Sequence, residues 1–302
     1  MAVAIVLAAG AALLSALAVV LQRVALESAP AGSSLSPRLM THALRKRGWL
    51  LGFGLMLGVF GLQATALRAG QLSVVQPVLT TELIFLVAIL VVGFRRRVGW
   101  REVLGILAIV AGLGGFFAAA APAPGLGQPD SRAWVVITAV TVVCALGLVA
   151  AGRSGPRWWR AAMLGAASAV LFAYNAALTK TLTALLRHGG WAHVFESWDP
   201  YLIALAGACG LFLVQSALHA GPIAASRTSS VITNPLVSIV IGATAFGERL
   251  RAGTGFLTLD VLALTVMCAG VVVLIRSPLV VGLDQTAGHE YLGAEPVPPP
   301  VL

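Results

Sequence analysis

The chain has 302 residues, 59% of them hydrophobic and only 10% charged, with a mean hydropathy of +0.94; an ordinary soluble domain is about 25% charged. That composition excludes a water-soluble globular fold. The formal charge of +9 does not point to nucleic acid, because the basic residues stand in short clusters between apolar runs and form no single stripe.

In chain order, apolar runs fall at about 3–23, 49–67, 71–93, 102–121, 133–152, 161–185, 200–219, 222–246 and 257–275, each near the ~20 residues that span a hydrocarbon core. Backbone groups in hydrocarbon must bond within their own segment, so each run predicts a helix. The first run lacks a basic leader and is longer than a signal peptide's apolar stretch, so it is expected to be retained. Residues 27–48 end in Arg45-Lys46-Arg47 and predict a cytoplasmic loop or interfacial helix. The tail after Arg276 ends in GAEPVPPPVL and predicts disorder.

Alternate loops place Arg38, Arg45, Lys46, Arg47, Arg95, Arg96, Arg97, Arg101, Arg153, Arg157, Arg160 and Arg276 on one side, against Arg68, Arg132, Arg187, Arg249 and Arg251 on the other. The positive-inside rule then puts the N-terminus outside and the C-terminus in the cytoplasm of a multi-pass inner (plasma) membrane protein, which requires an odd number of spans.

The chain also repeats itself. LAAGAALLSALAVVLQR at Leu7–Arg23 matches LGAASAVLFAYNAALTK at Leu164–Lys180, ALRAG at Ala66–Gly70 matches ALHAG at Ala217–Gly221, and Ala111-Gly112 matches Ala269-Gly270. Corresponding runs lie an odd number of spans apart, so the two copies must cross the membrane in opposite senses. The expected fold is all-α integral membrane, with about nine transmembrane helices in two inverted-topology four-helix repeats joined by a connecting helix. The units are 1–121, 122–157 with the fifth span, 158–277 and the tail 278–302.

GLMLGVFGLQATALRAGQLSVVQPVLTTELIFLVAIL with the later GILAIVAGLGG, and LFLVQSALHAGPIAASRTSSVITNPLVSIVIGATAFGERL with its Gly247-Glu248 ending, resemble the repeat of the drug/metabolite transporter superfamily. Within it, WLLGFGLMLG at Trp49–Gly58 and the nine-span layout are closest to the NIPA-like magnesium transporters. The resemblance implies secondary transport, of a small organic solute or, in that branch, of a divalent cation with Glu82 as metal ligand.

An ionisable group at mid-bilayer is costly and usually faces a cavity. Glu82 sits near the centre of the third run behind Thr80, Thr81 and Pro77, and reads as a coupling group, a cation ligand or a structural ion pair with Arg227 or Lys180. Arg227, Ser230, Asn234 and Ser238 are spaced 3, 4 and 4, which stacks them on one helical face. Pro235 beside Asn234, like Pro77, frees a backbone carbonyl, and such broken helices line transporter sites; the alternative is a polar helix–helix seam. Tyr174, Asn175, Gln63, Gln215 and Gln76 complete the candidate pocket.

Glu102 and Asp260 read as helix N-termini and Glu248 as interfacial. Gly54, Gly58 and Gly61 read as a packing face, and Cys144, Cys209 and Cys268 as small apolar residues. No catalytic constellation or cofactor motif is expected, and His188, His193, His219 and His289 lack ligand spacing. The expected partners are a small-molecule or ion substrate and the lipid bilayer, with no nucleic acid and with homodimerisation left open. A non-transporting membrane scaffold is the reading from another class.

Overall fold

A computed structural model describes residues 1–26, 47–94, 98–123, 125, 128–221, 223–251 and 254–278. The expected interfacial segment, except its last two residues, and the tail from 279 onward lie outside the described residues. The elements are α1 (Ala2–Leu26), α2 (Arg47–Ala69), α3 (Leu72–Leu79), α4 (Glu82–Phe94), α5 (Trp100–Ala120), α6 (Ser131–Ala151), α7 (Arg157–Glu196), α8 (Asp199–Ala220), α9 (Ile223–Thr244) and α10 (Thr254–Ile275).

Every expected apolar run is therefore helical. Six segments are long and apolar enough to cross a membrane by length and composition: Leu50–Ala69, Leu72–Gly93, Trp100–Ala120, Ser131–Ala151, Arg157–Leu186 and Gly255–Ile275. Ala2–Ala18 and Asp199–Val214 are shorter apolar helices. α9 falls outside both groups because its first half reads Ser226-Arg227-Thr228-Ser229-Ser230. The chain is an all-α membrane protein, and large apolar side chains such as Val135, Val136, Val140 and Val143 of α6 stand exposed, as hydrocarbon-facing residues do.

Small residues decide how closely the helices meet. Ala4, Ala8, Ala12 and Ala16 form a fully buried face of α1, spaced one helical turn apart, and α1 packs chiefly against α2. α7 pairs in the same way with α8, and also with α9. α5 and α10 meet along a close seam. A Cβ placed on Gly112 would lie 2.6 Å from the Ala263 carbonyl oxygen, and one on Gly270 would lie 2.8 Å from the Gly105 carbonyl oxygen. Because the contacting numbers rise on one helix as they fall on the other, α5 and α10 run antiparallel.

The third run is broken where α3 gives way to α4. Pro77 inside α3 has no N–H to donate and crowds the preceding turn. The chain then tightens: the Thr80 N–H donates to Pro77 O at 3.1 Å and the Thr81 N–H to Val78 O at 3.0 Å. The Thr80 and Thr81 hydroxyls donate to the same two carbonyls at 2.6 and 2.7 Å, so the break leaves these acceptors satisfied without water.

At one end of the molecule an antiparallel bridge between Ala123 and Arg249 ties the segment after α5 to the turn between α9 and α10. Of the two readings of helix starts, one holds and one needs correction. Glu102 does sit at a start, its Oε2 accepting the Gly99 N–H at 2.9 Å, but α10 begins at Thr254, which leaves Asp260 buried nearly two turns inside the helix.

Candidate functional site

α3 and α9 cross antiparallel, and the crossing brings Gln76 to Asn234, with Glu82 and Arg227 at one end of it. At one level, Glu248, just past α9, reaches the first turn of α3. Its carboxylate accepts the Leu72 N–H at 2.6 Å and the Ser73 N–H at 2.9 Å, and pairs with Lys180 of α7. Helix N-termini leave such N–H groups without intrahelical partners and favour negative charge. The Lys180 ammonium also lies 4.5 Å from the centroid of the Phe246 ring, a cation–π distance. Glu248 is thus buried in the bundle, and the interfacial reading of it is corrected.

At the next level Asn234 Nδ2 donates to Gln76 Oε1 at 3.3 Å. Each amide is followed by a proline inside its helix, Pro77 and Pro235. At the third level Glu82, the first residue of α4, shares a hydrogen bond with Ser15 of α1 and lies within electrostatic range of Arg227. Of the two ion-pair partners weighed for Glu82, Arg227 is the one in electrostatic range, while Lys180 pairs with Glu248.

Between these levels the seam is under-bonded. Among the described residues, the buried atoms without a hydrogen-bond partner include Gln71 Oε1, Ser73 Oγ, Gln76 Nε2, Asn234 Oδ1 and Ser238 Oγ. Gln76 is 1% exposed, and Ser73 and Ser238 are 0% exposed. A buried polar atom left unpaired costs roughly 1–3 kcal/mol, so five along one seam mark a place shaped for something besides protein.

Other expected residues serve elsewhere. Thr80 lines the same face of α3, its hydroxyl 3.9 Å from Met267 Sδ of α10. Ser230 donates to Gly165 O at 2.8 Å and fastens α9 to α7. Asn175 donates to Ile203 O at 2.7 Å, which turns it toward α8. Tyr174 Oη shares a 2.8 Å hydrogen bond with Thr138 of α6, and its ring meets Trp134 edge-on at 6.1 Å. Trp134 also packs edge-on against Trp198 at 5.4 Å and Phe246 at 6.4 Å, so an aromatic cluster adjoins the Lys180–Glu248 pair. Gln63 is half-buried on α2, off the seam, and the Gln215 side chain lies outside the described residues.

Sequence reasoning missed Ser73 and Gln71, and weighed Lys180 only as a partner of Glu82. Ser73, Gln76 and Thr80 are spaced 3 and 4, the same signal that exposed the Arg227 face, and that spacing was there to be read. Among the described residues, no group of three or more His, Cys, Asp or Glu is placed to hold a metal ion.

No protein-family model matches the chain, and no solved structure matches it. The chain is similar to an uncharacterized protein of Corynebacterium glutamicum, 27% identical over 233 residues that cover 77% of this chain and 80% of that one.

Proposed function

We propose that the chain is a secondary transporter resembling the drug/metabolite superfamily, which carries a small organic solute by alternating access through the α3–α9 seam. The row of buried, unpartnered polar atoms between two proline-interrupted helices carries this reading, since interrupted helices with freed polar groups line solute sites in transporters built on inverted repeats.

Packing supports the inverted repeat. The register that pairs Gly112 with Gly270 also pairs Gly105 with Ala263, so it converts the Gly112–Ala263 contact into the Gly270–Gly105 contact. The same register pairs Gln76-Pro77 with Asn234-Pro235, the two amides that bond to each other. Residues related by a two-fold axis and lying close to it behave in this way. With the four-helix units on either side of α6, the chain reads as nine spans.

The exposed Arg153, Arg157 and Arg160 mark the cytoplasmic end. Gly221 abuts the Arg157 backbone, so Arg227 and Glu82 lie toward that end, and Lys180 with Glu248 toward the other. Glu82 is then the coupling group, a carboxylate able to trade a proton against the solute. Glu248 is already paired with Lys180, and Arg227 acts electrostatically on Glu82, which favours an organic solute over Mg²⁺.

The test is flux into proteoliposomes with organic solutes and Mg²⁺, with and without a pH gradient. Glu82→Gln is expected to abolish gradient-driven flux while the protein still inserts; unchanged flux removes Glu82 from coupling. Saturable Mg²⁺ flux that needs Glu82 would replace this reading with the cation path, and absence of all flux with a stable complex on gentle extraction would replace it with a scaffold.

A further inference from the structure

Two neutral amides meet where the seam is least satisfied. In the Gln76–Asn234 contact one hydrogen bond joins the pair, leaving the Gln76 Nε2 donor and the Asn234 Oδ1 acceptor without partners. Exchanging O and N on both amides still leaves one donor and one acceptor, so the conclusion does not depend on how the amides are turned. The Ser73 and Ser238 hydroxyls and Gln71 Oε1 add groups that donate or accept without charge.

The free groups at the amide contact carry no charge. Lys180 pairs with Glu248 on one side of the amides, and Glu82 lies on the other with Arg227 in electrostatic range. A solute with net charge of either sign would leave water for a buried stretch whose free groups are all neutral, which is costly. An uncharged solute with an N–H beside a C=O meets the opposite situation, because its acceptor takes the free donor and its donor takes the free acceptor.

We propose that Gln76 and Asn234 form the recognition pair for an uncharged solute bearing an amide-type edge, an N–H adjacent to a carbonyl. This rests on the seam being the transporter's solute site and narrows what that site takes. Ser73 and Ser238 flank the pair and bond to the remainder of the solute.

Binding is tested on the full chain in detergent by thermal unfolding with acetamide, 2-piperidone and uracil. The matched probes are N,N-dimethylacetamide, N-methyl-2-piperidone and 1,3-dimethyluracil, with lysine, glutamate and Mg²⁺ as charged probes. At least one amide should stabilise the protein saturably, its N-methylated partner should bind on the order of tenfold more weakly for the lost hydrogen bond, and the charged probes should have no saturable effect. Asn234→Leu should weaken amide binding by a similar factor, and Ser238→Ala, which deletes an unpartnered hydroxyl, gives a second readout if Asn234→Leu fails to fold. Ser216→Ala, off the seam on α8, should leave binding unchanged.

Amide binding without flux of any probe would sink transport and leave the recognition pair standing. Flux or stabilisation confined to lysine, glutamate or Mg²⁺ would keep transport and overturn the pair. Equal binding of methylated and unmethylated amides, or no stabilisation by any amide, also overturns it.

Discussion

Along the α5–α10 seam the backbones touch, with glycine at each contact and no room for a methyl group at Gly112 or Gly270. Along the α3–α9 seam the helices meet through amides and hydroxyls, and five buried polar atoms lack partners. The chain thus packs one seam to backbone contact and leaves polar groups of the other unsatisfied. Under the proposed alternating access, the tight seam would move as one body and the loosely bonded one would open.

Substituting Gly112 is the hardest blow to that contrast. Gly112→Leu forces a side chain against the backbone of Met267 and Ala263, which cannot rotate away. The expected cost is at least about 3 kcal/mol, seen as aggregated protein on size exclusion after extraction. A monodisperse Gly112→Leu protein with an unchanged unfolding midpoint would show that the seam is not tight.

Glu248→Ala comes next. It leaves Lys180 without its partner and the Leu72 and Ser73 N–H groups without an acceptor, a loss of about 3–5 kcal/mol, read as a fall in unfolding midpoint. Lys180→Met combined with Glu248→Gln should cost less than the two single changes added together. Additive costs would mean that the two residues act independently.

The smallest expected effect is the most informative. Ser238→Ala removes a buried hydroxyl that has no partner, so stability should stay within about 1 kcal/mol of the parent or rise, while solute flux falls. A large loss of stability with unchanged flux would make the α3–α9 seam structural.

Much of the frame was legible because hydrocarbon imposes a simple code. Long apolar runs must be helices, and all nine are helical, with ends displaced by a few residues except for α7, which runs on to Glu196. The Arg227 face and Pro77 were also visible, since spacing and ring chemistry are local. What stayed hidden depends on distant residues. Lys180 finds Glu248 and not Glu82 because α7 passes the end of α9, and no local signal states that. Glu248 looked interfacial because it follows a span, whereas the chain folds back and buries it. Asp260 looked like a start because the apolar run begins at about 257, whereas the helix begins at Thr254.

Glu248 also imposes an order on biosynthesis. The carboxylate that receives the Leu72 N–H lies 176 residues further along the chain, and at ~5–20 residues per second the ribosome needs on the order of ten to thirty-five seconds to reach it. Until then the Leu72 and Ser73 N–H groups lack this acceptor, and the nascent first half must keep those donors near lipid headgroups, water or the insertion machinery. The second half thus acts as an intramolecular template that finishes the first, and a stalled or truncated chain would betray its immaturity at Leu72 and Ser73.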